Sequence, residues 1–242
     1  MIQAKGLQKQ FGDKAVLCGV DATFDRGECS LIIGKSGAGK TVLLKCLVGL
    51  ETPDEGQVLY DGQDLLRMNA GRESKLRQEM GMLFQGSALF DSMSIFDNVL
   101  FPLAMFSPLK RRDRNARVKE CLNRVQLWDA RYKFPDEISG GMKKRTAIAR
   151  AIVMSPKYLF CDEPTSGLDP ETSKVIDALL KEITTENSIT TIINTHDMNS
   201  VKNIGDKVIF LNDGKVSWEG RGVDIEHSDN KPLKDFVFIS QL

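Results

Sequence analysis

The chain has 242 residues, 41% apolar and 7% aromatic, which is enough to bury one large core or two small ones and too apolar for disorder. Lys plus Arg balances Asp plus Glu at 33 each, so no overall basic field exists and nucleic acid is excluded as the main partner. Five scattered cysteines and two histidines exclude a disulfide framework, a cysteine zinc cluster and a polyhistidine centre. No apolar run reaches membrane-span length and no apolar leader opens the chain, so a cytosolic protein is expected.

In chain order, residues 15–24 alternate imperfectly and read as a strand. Gly27 and Glu28 turn the chain into the short apolar run Cys29–Ile33. Residues 40–50 carry Val42, Leu43, Leu44, Leu47, Val48 and Leu50 at helical spacing. A strand pair straddles Asp61-Gly62, and 81–85 is a short buried strand. From about Ser87 the texture changes: 90–106 is rich in Phe, Leu and Met, 110–127 is charged with helical period, and 139–154 is a further helix. Residues 87–155 therefore read as a mainly helical insertion into an α/β core. The β/α rhythm then returns, with strands at 157–162, 190–195 and 207–212, helices at 171–186 and 197–204, and a closing strand at 215–219. No internal repeat is present. The tail is polar from 224 to 231. Leu233, Phe236 and Val237 then fall on one helical face, with Phe238, Ile239 and Leu242 adding apolar surface. Such a tail either docks on a neighbouring subunit or folds back on its own core.

The chemistry begins at Gly34-Lys35-Ser36-Gly37-Ala38-Gly39-Lys40-Thr41, a phosphate loop placed between a strand and a helix. The glycines let backbone N–H groups turn toward phosphate oxygens, and the helix N-terminus adds partial positive charge. Lys40 reaches the β- and γ-phosphates, and Thr41 offers a hydroxyl to Mg²⁺. An apolar strand ends in Asp162 and Glu163. Alone it reads as a strand capped by solvated acids, but beside a phosphate loop it delivers Asp162 to Mg²⁺ and Glu163 to the attacking water. Ser139-Gly140-Gly141-Met142 opens a helix with a serine cap and bare amides, a second anion site. Two phosphate devices with one set of Mg²⁺ and base residues point to a two-fold dimer in which each chain completes the other's site.

With these motifs in order, the sequence resembles an ABC-transporter ATPase subunit over residues 1 to about 220. Phe11, the Walker A loop 34–41, Gln85, the signature 138–142, the Walker B segment 159–163, the D-loop Ser166-Gly167-Leu168-Asp169 and His196 all match in family order. Ile138 and Met142 depart from the usual Leu and Gln of the signature. The resemblance implies an α/β P-loop ATPase core with an antiparallel β subdomain and a helical insertion, residues 1–222 as the ATPase domain and 223–242 as a tail. It implies ATP and Mg²⁺ as cofactors, with Thr41, Gln85 and Asp162 at the metal. Glu163 and His196 are implied as catalytic residues, Phe11 as an adenine stack and Gln85 as a sensor. The implied partners are a second copy of the chain in an ATP sandwich and transmembrane permease subunits, with accessory lipid-binding and small cytosolic subunits beyond them. The place is the cytoplasmic face of the inner membrane. Residues 84–99 and the Gly-Gly-Met signature further resemble ATPases of Mla-type lipid transporters, so lipid transport is expected. A small-solute importer or a soluble non-transport ATPase is the alternative. Leu89, Phe90, Met93 and Phe96 are expected to line a permease groove. The basic cluster Lys110, Arg111, Arg112, Arg114 and Arg117 reads as a solvated face or a contact to an anionic partner.

Overall fold

The structure, a computed structural model, describes residues 1–240. Strands Ile2–Phe11 (β1) and Lys14–Phe24 (β2) form a hairpin, and Cys29–Ile33 (β3) leads through the glycine loop into the helix Lys40–Val48 (α1). Glu55–Tyr60 (β4) and Gln63–Asp64 (β5) follow across the Asp61-Gly62 turn, then the helix Ala70–Gln78 (α2) and Met80–Leu83 (β6). Helices Ile95–Phe106 (α3), Arg111–Arg124 (α4) and Gly140–Ile152 (α5) make the expected helical insertion. Tyr158–Asp162 (β7), Pro170–Glu186 (α6), Thr190–Asn194 (β8), Met198–Ile204 (α7), Lys207–Asn212 (β9), Lys215–Gly220 (β10) and Lys231–Ser240 (α8) complete the chain.

All five residues of β3 are buried, and their side chains alternate between two apolar clusters, as the two-residue strand period demands. Cys29, Leu31 and Ile33 join the cluster shared with α3 to α8. Ile32 joins the one around α1. The main sheet runs β10-β9-β3-β8-β7-β6, parallel except for the β10 edge. The second sheet, β2-β1-β4-β5, is antiparallel. Leu43, Leu44 and Leu47 of α1 lie between the two sheets against residues such as Val20, Val58, Phe160 and Ile192. A nine-residue helix is marginal alone in water, so this burial from both sides holds α1 in place.

Differences from the sequence reading have plain causes. The helix α2 carries a single buried apolar residue, Leu76, so its sequence shows no period; Asn69 caps it by accepting the Arg72 N–H at 2.9 Å. Residues 84–94 form a loop folded onto the helices. Buried Asn98 holds it, accepting from Phe90 N (2.8 Å) and donating to the Phe90 and Met93 carbonyls. Within the basic cluster, Arg117 donates to the Ile152 and Val153 carbonyls at the end of α5, while Lys110, Arg111 and Arg112 are exposed. The tail folds back: Leu233 and Phe236 are buried in the main core, and Phe236 lies 5.4 Å from Phe210, ring to ring. The stretch before it is no tether either, since Ile225 is buried and Asn230 donates to the Ser217 carbonyl at 2.8 Å. Leu242 and the side chain of Ile239 lie outside the described residues.

Candidate functional site

Residues 34–41 leave the carboxyl end of β3 and enter α1, the crevice where open α/β sheets bind ligands. Two glycines there have no substitute. A Cβ on Gly34 would lie 2.4 Å from the Leu211 carbonyl oxygen, and one on Gly39 (φ 102°) would lie 2.8 Å from that of Val16. The loop is thus pinned between β9 and β2, and within it the Ala38 N–H donates to the Lys35 carbonyl at 3.1 Å. No acidic residue in the first turn of α1 opposes the positive end of that helix. Lys40 Nζ donates to the carbonyls of Gly34 (2.8 Å) and Lys35 (3.2 Å), which places the ammonium across the loop. Burial lowers the pKa of this ammonium, and the charges of Glu163 and Asp162 work the other way.

The two carboxylates are oriented by neighbouring strands. Asp162 ends β7 and accepts from Asn194 Nδ2 at 3.0 Å, while Asn194 itself is fully buried at the end of β8. Glu163 has left-handed backbone (φ 52°), and its N–H donates to the Asn194 carbonyl at 3.0 Å. That turn breaks the strand alternation and sends the Glu163 side chain to the phosphate-loop side. His196 Nδ1 lies 2.6 Å from Glu163 Oε2, which places the imidazole directly against the carboxylate.

A cavity of about 410 Å³ joins Lys14, Val16, Ser36, Gly39, Lys40, Thr41, Gln85 and Glu163. Asp162 is not part of this lining and acts on Lys40 through its charge. Phe11 is exposed at the β1–β2 turn, paired in register with Lys14, and does not line the cavity; its ring has Lys9 Nζ at 5.2 Å. Ser139, Gly140 and Gly141 are not brought to the phosphate loop of the same chain. Ser139 Oγ accepts from Met142 N at 3.3 Å, and Gly141 is pressed against Thr172, where an added Cβ would lie 2.7 Å from its Cγ2. Within one chain the phosphate loop and the start of α5 therefore stay apart.

None of Leu89, Phe90, Met93 and Phe96 lines the apolar cavity on this side. Leu89 and Phe96 pack on the core, and exposed Phe90 meets Phe101 at a tilt, with ring centroids 4.9 Å apart. The apolar cavity on this side, about 460 Å³, is lined instead by Ala70, Met80, Pro102, Phe106 and Met154, with Arg77 and Glu73 at its polar edge. Sequence reading missed Lys14 and Val16, which reach the site from the second sheet. It also missed Asn194, whose one signal was a polar residue closing an apolar strand.

The donor set fits a nucleoside triphosphate with Mg²⁺. Glycine-loop amides, an ammonium and a helix N-terminus suit the phosphates. One hydroxyl, one amide and one carboxylate suit an ion that keeps waters and shares phosphate oxygens.

A family model described as ABC transporter matches residues 17–166. The chain is 42% identical over 242 residues to a methionine import ATP-binding protein of Oceanobacillus iheyensis, covering 98% of this chain and 71% of that protein. It is 42% identical over 237 residues to the methionine import ATP-binding protein of Clostridium tetani, covering 98% and 74%. Among solved structures, the ATP-binding cassette MJ0796, in a dimeric post-hydrolysis state bound to ADP and Pi, aligns with a TM-score of 0.82 at 31% identity, over 91% of this chain and 98% of that one. The likeness of residues 84–99 to lipid-transport ATPases is not reflected in the two curated relatives, both named for methionine import.

Proposed function

The chain belongs to the ABC transporter family and is one of its Mg²⁺-dependent ATP-hydrolysing subunits; from that premise we propose that it powers small-solute import through a separate membrane permease. The observation that carries this reading is 42% identity, along nearly the whole chain, to methionine import ATP-binding proteins. An amino acid of that kind is the first substrate to test. Among the described residues no helix is long and apolar enough to cross a membrane. The reading therefore seats the chain at the cytoplasmic face of the membrane by docking on a permease. The apolar cavity at Met80, Pro102 and Phe106 is the surface offered to a permease helix.

In this reading the loop amides and Lys40 bind the phosphates, and Phe11 closes on the adenine from the hairpin turn. Thr41, Gln85 and Asp162 would hold Mg²⁺, which would neutralise charge on the phosphate oxygens. Glu163 takes the proton of the attacking water, and His196 stands against its carboxylate. Ser139, Gly140 and Gly141 of a second copy complete the phosphate site, as the dimeric state of MJ0796 suggests.

The test is purification of the chain with its native permease, reconstitution in liposomes, and ATP-driven uptake. Uptake of methionine or another small amino acid, without phospholipid movement, supports the reading. ATP-driven movement of phospholipid in place of amino acid overturns it and restores lipid transport.

A further inference from the structure

Lys144, on the second turn of α5, is 5% exposed. Burying an ammonium costs several kcal/mol, and an apolar side chain of similar length would fill the same space without that cost. The acceptors of this ammonium are the main-chain carbonyls of the two residues that bracket the nucleotide cavity. Nζ donates to the Gln85 carbonyl in a short contact and to the Glu163 carbonyl at 3.1 Å. Both acceptors belong to backbone that needs holding. Glu163 is a non-glycine residue in the left-handed region, and so are Ser87 and Ala88 just after Gln85. Such conformations persist where the surroundings fix them. Farther along the same helix, Arg150 donates to the Ser87 and Ala88 carbonyls at 2.8 Å each.

We propose that Lys144 is a positioning residue for ATP hydrolysis, its ammonium tying the Gln85 carbonyl to the Glu163 carbonyl so that the two side chains are held at one spacing across the cavity. The same helix begins at Ser139-Gly140-Gly141, about 8 Å away along the axis at 1.5 Å per residue. The helix offered to the partner's nucleotide therefore also grips its own chain's catalytic loops. A shift of α5 when the sandwich closes is carried directly to Gln85 and Glu163. The inference rests on the reading of Glu163 and Gln85 as reaction residues, and it is independent of which solute is transported.

The experiment compares Lys144→Met and Lys144→Gln with the unaltered chain in steady-state ATPase kinetics, nucleotide affinity and backbone hydrogen exchange. Lys144→Met is expected to lower kcat roughly tenfold or more with affinity unchanged within about twofold, the pattern of an interaction needed in the transition state and not for binding. Lys144→Gln, which keeps a donor, should recover part of that loss. Exchange should rise at residues 84–88 and 163–166 more than along α5. A kcat within about twofold of the unaltered chain overturns the proposal. So does a joint loss of kcat and affinity that Lys144→Gln does not relieve, which marks a packing role. If Lys144→Met fails to fold, Lys144→Gln decides: reduced kcat with raised exchange in the two loops supports the clamp, and unchanged kcat refutes it. A Glu163→Gln chain assayed alongside separates two failures. Normal turnover there removes the site reading and the clamp together, whereas a silent Glu163→Gln beside a normal Lys144→Met removes the clamp alone.

Discussion

Replacing Asp177 with Asn should stabilise the chain at neutral pH, and the gain should vanish in acid. Asp177 sits on α6 with 3% of its surface exposed, and its Oδ1 has no hydrogen-bond partner. Burial pushes its carboxyl up from the ordinary 3.8 to about 6; the neighbouring Ser200 hydroxyl pulls down and the Asp197 charge pushes up. Lys174, Lys202 and His196 also line the cavity beside it. Because the folded pKa lies above the unfolded one, the group favours the fold below about pH 4, and that contribution is lost as pH rises through about 6. At 1.36 kcal/mol per pH unit, the ionised carboxylate costs the native state about 3 kcal/mol at pH 7.5. Asparagine keeps the shape and carries no charge. At about 2–4 °C per kcal/mol for a domain of this size, Asp177→Asn should melt roughly 6–12 °C higher at pH 7.5. Thermal melts of both chains from pH 4 to pH 8 measure it. Equal melting temperatures at pH 7.5, or a gap that does not change with pH, would show that Asp177 carries no such cost.

Three further outcomes are expected. Lys40→Ala should weaken nucleotide binding by about 10–100-fold, the value of a charge-assisted contact, whereas Ser139→Arg should leave monomer affinity intact and block turnover; fluorescent-nucleotide titration beside steady-state ATPase separates them. Gly39→Ala places a Cβ 2.8 Å from the Val16 carbonyl on left-handed backbone, so it should cost about 1–2 kcal/mol of strain, displace the loop and abolish binding in the same titration. Phe236→Ala should destabilise the isolated chain by about 3–5 kcal/mol in denaturant unfolding, because the tail packs on Phe210 of its own sheet. An unchanged midpoint would move the tail's docking surface to a neighbour.

What the sequence made legible were features encoded locally. Cys29–Ile33 and the apolar strand ending in Asp162 read as buried strands from their composition. The phosphate loop read as a ligand cradle because its glycines, lysine and threonine each answer a requirement of the same anion. Features created by distant contacts were not legible. Lys144 and Asn194 look like ordinary polar residues until α5 and β8 carry them to Gln85, Asp162 and Glu163. The spacing of Leu233 and Phe236 marked one face of a helix, but periodicity says which face is buried and not against what. For the same reason the spacing of Leu89, Phe90, Met93 and Phe96 does not say that Leu89 and Phe96 rest, partly buried, against the chain's own core. The helix α2 escaped because a charged helix with one buried leucine has no period to read.

In the proposed two-fold sandwich, Glu163 is the base of ATP hydrolysis and Ser139 of the second copy completes each phosphate site. Sedimentation of Glu163→Gln with Mg-ATP tests it most directly. Glutamine keeps the shape and removes the proton acceptor, a loss on the order of 10²–10⁴ in rate. The trapped species should therefore sediment at twice the mass of the chain and return to single mass when Ser139→Arg is added to it. A Glu163→Gln chain that stays at single mass with Mg-ATP bound, or that turns over ATP at the unaltered rate, would contradict the account.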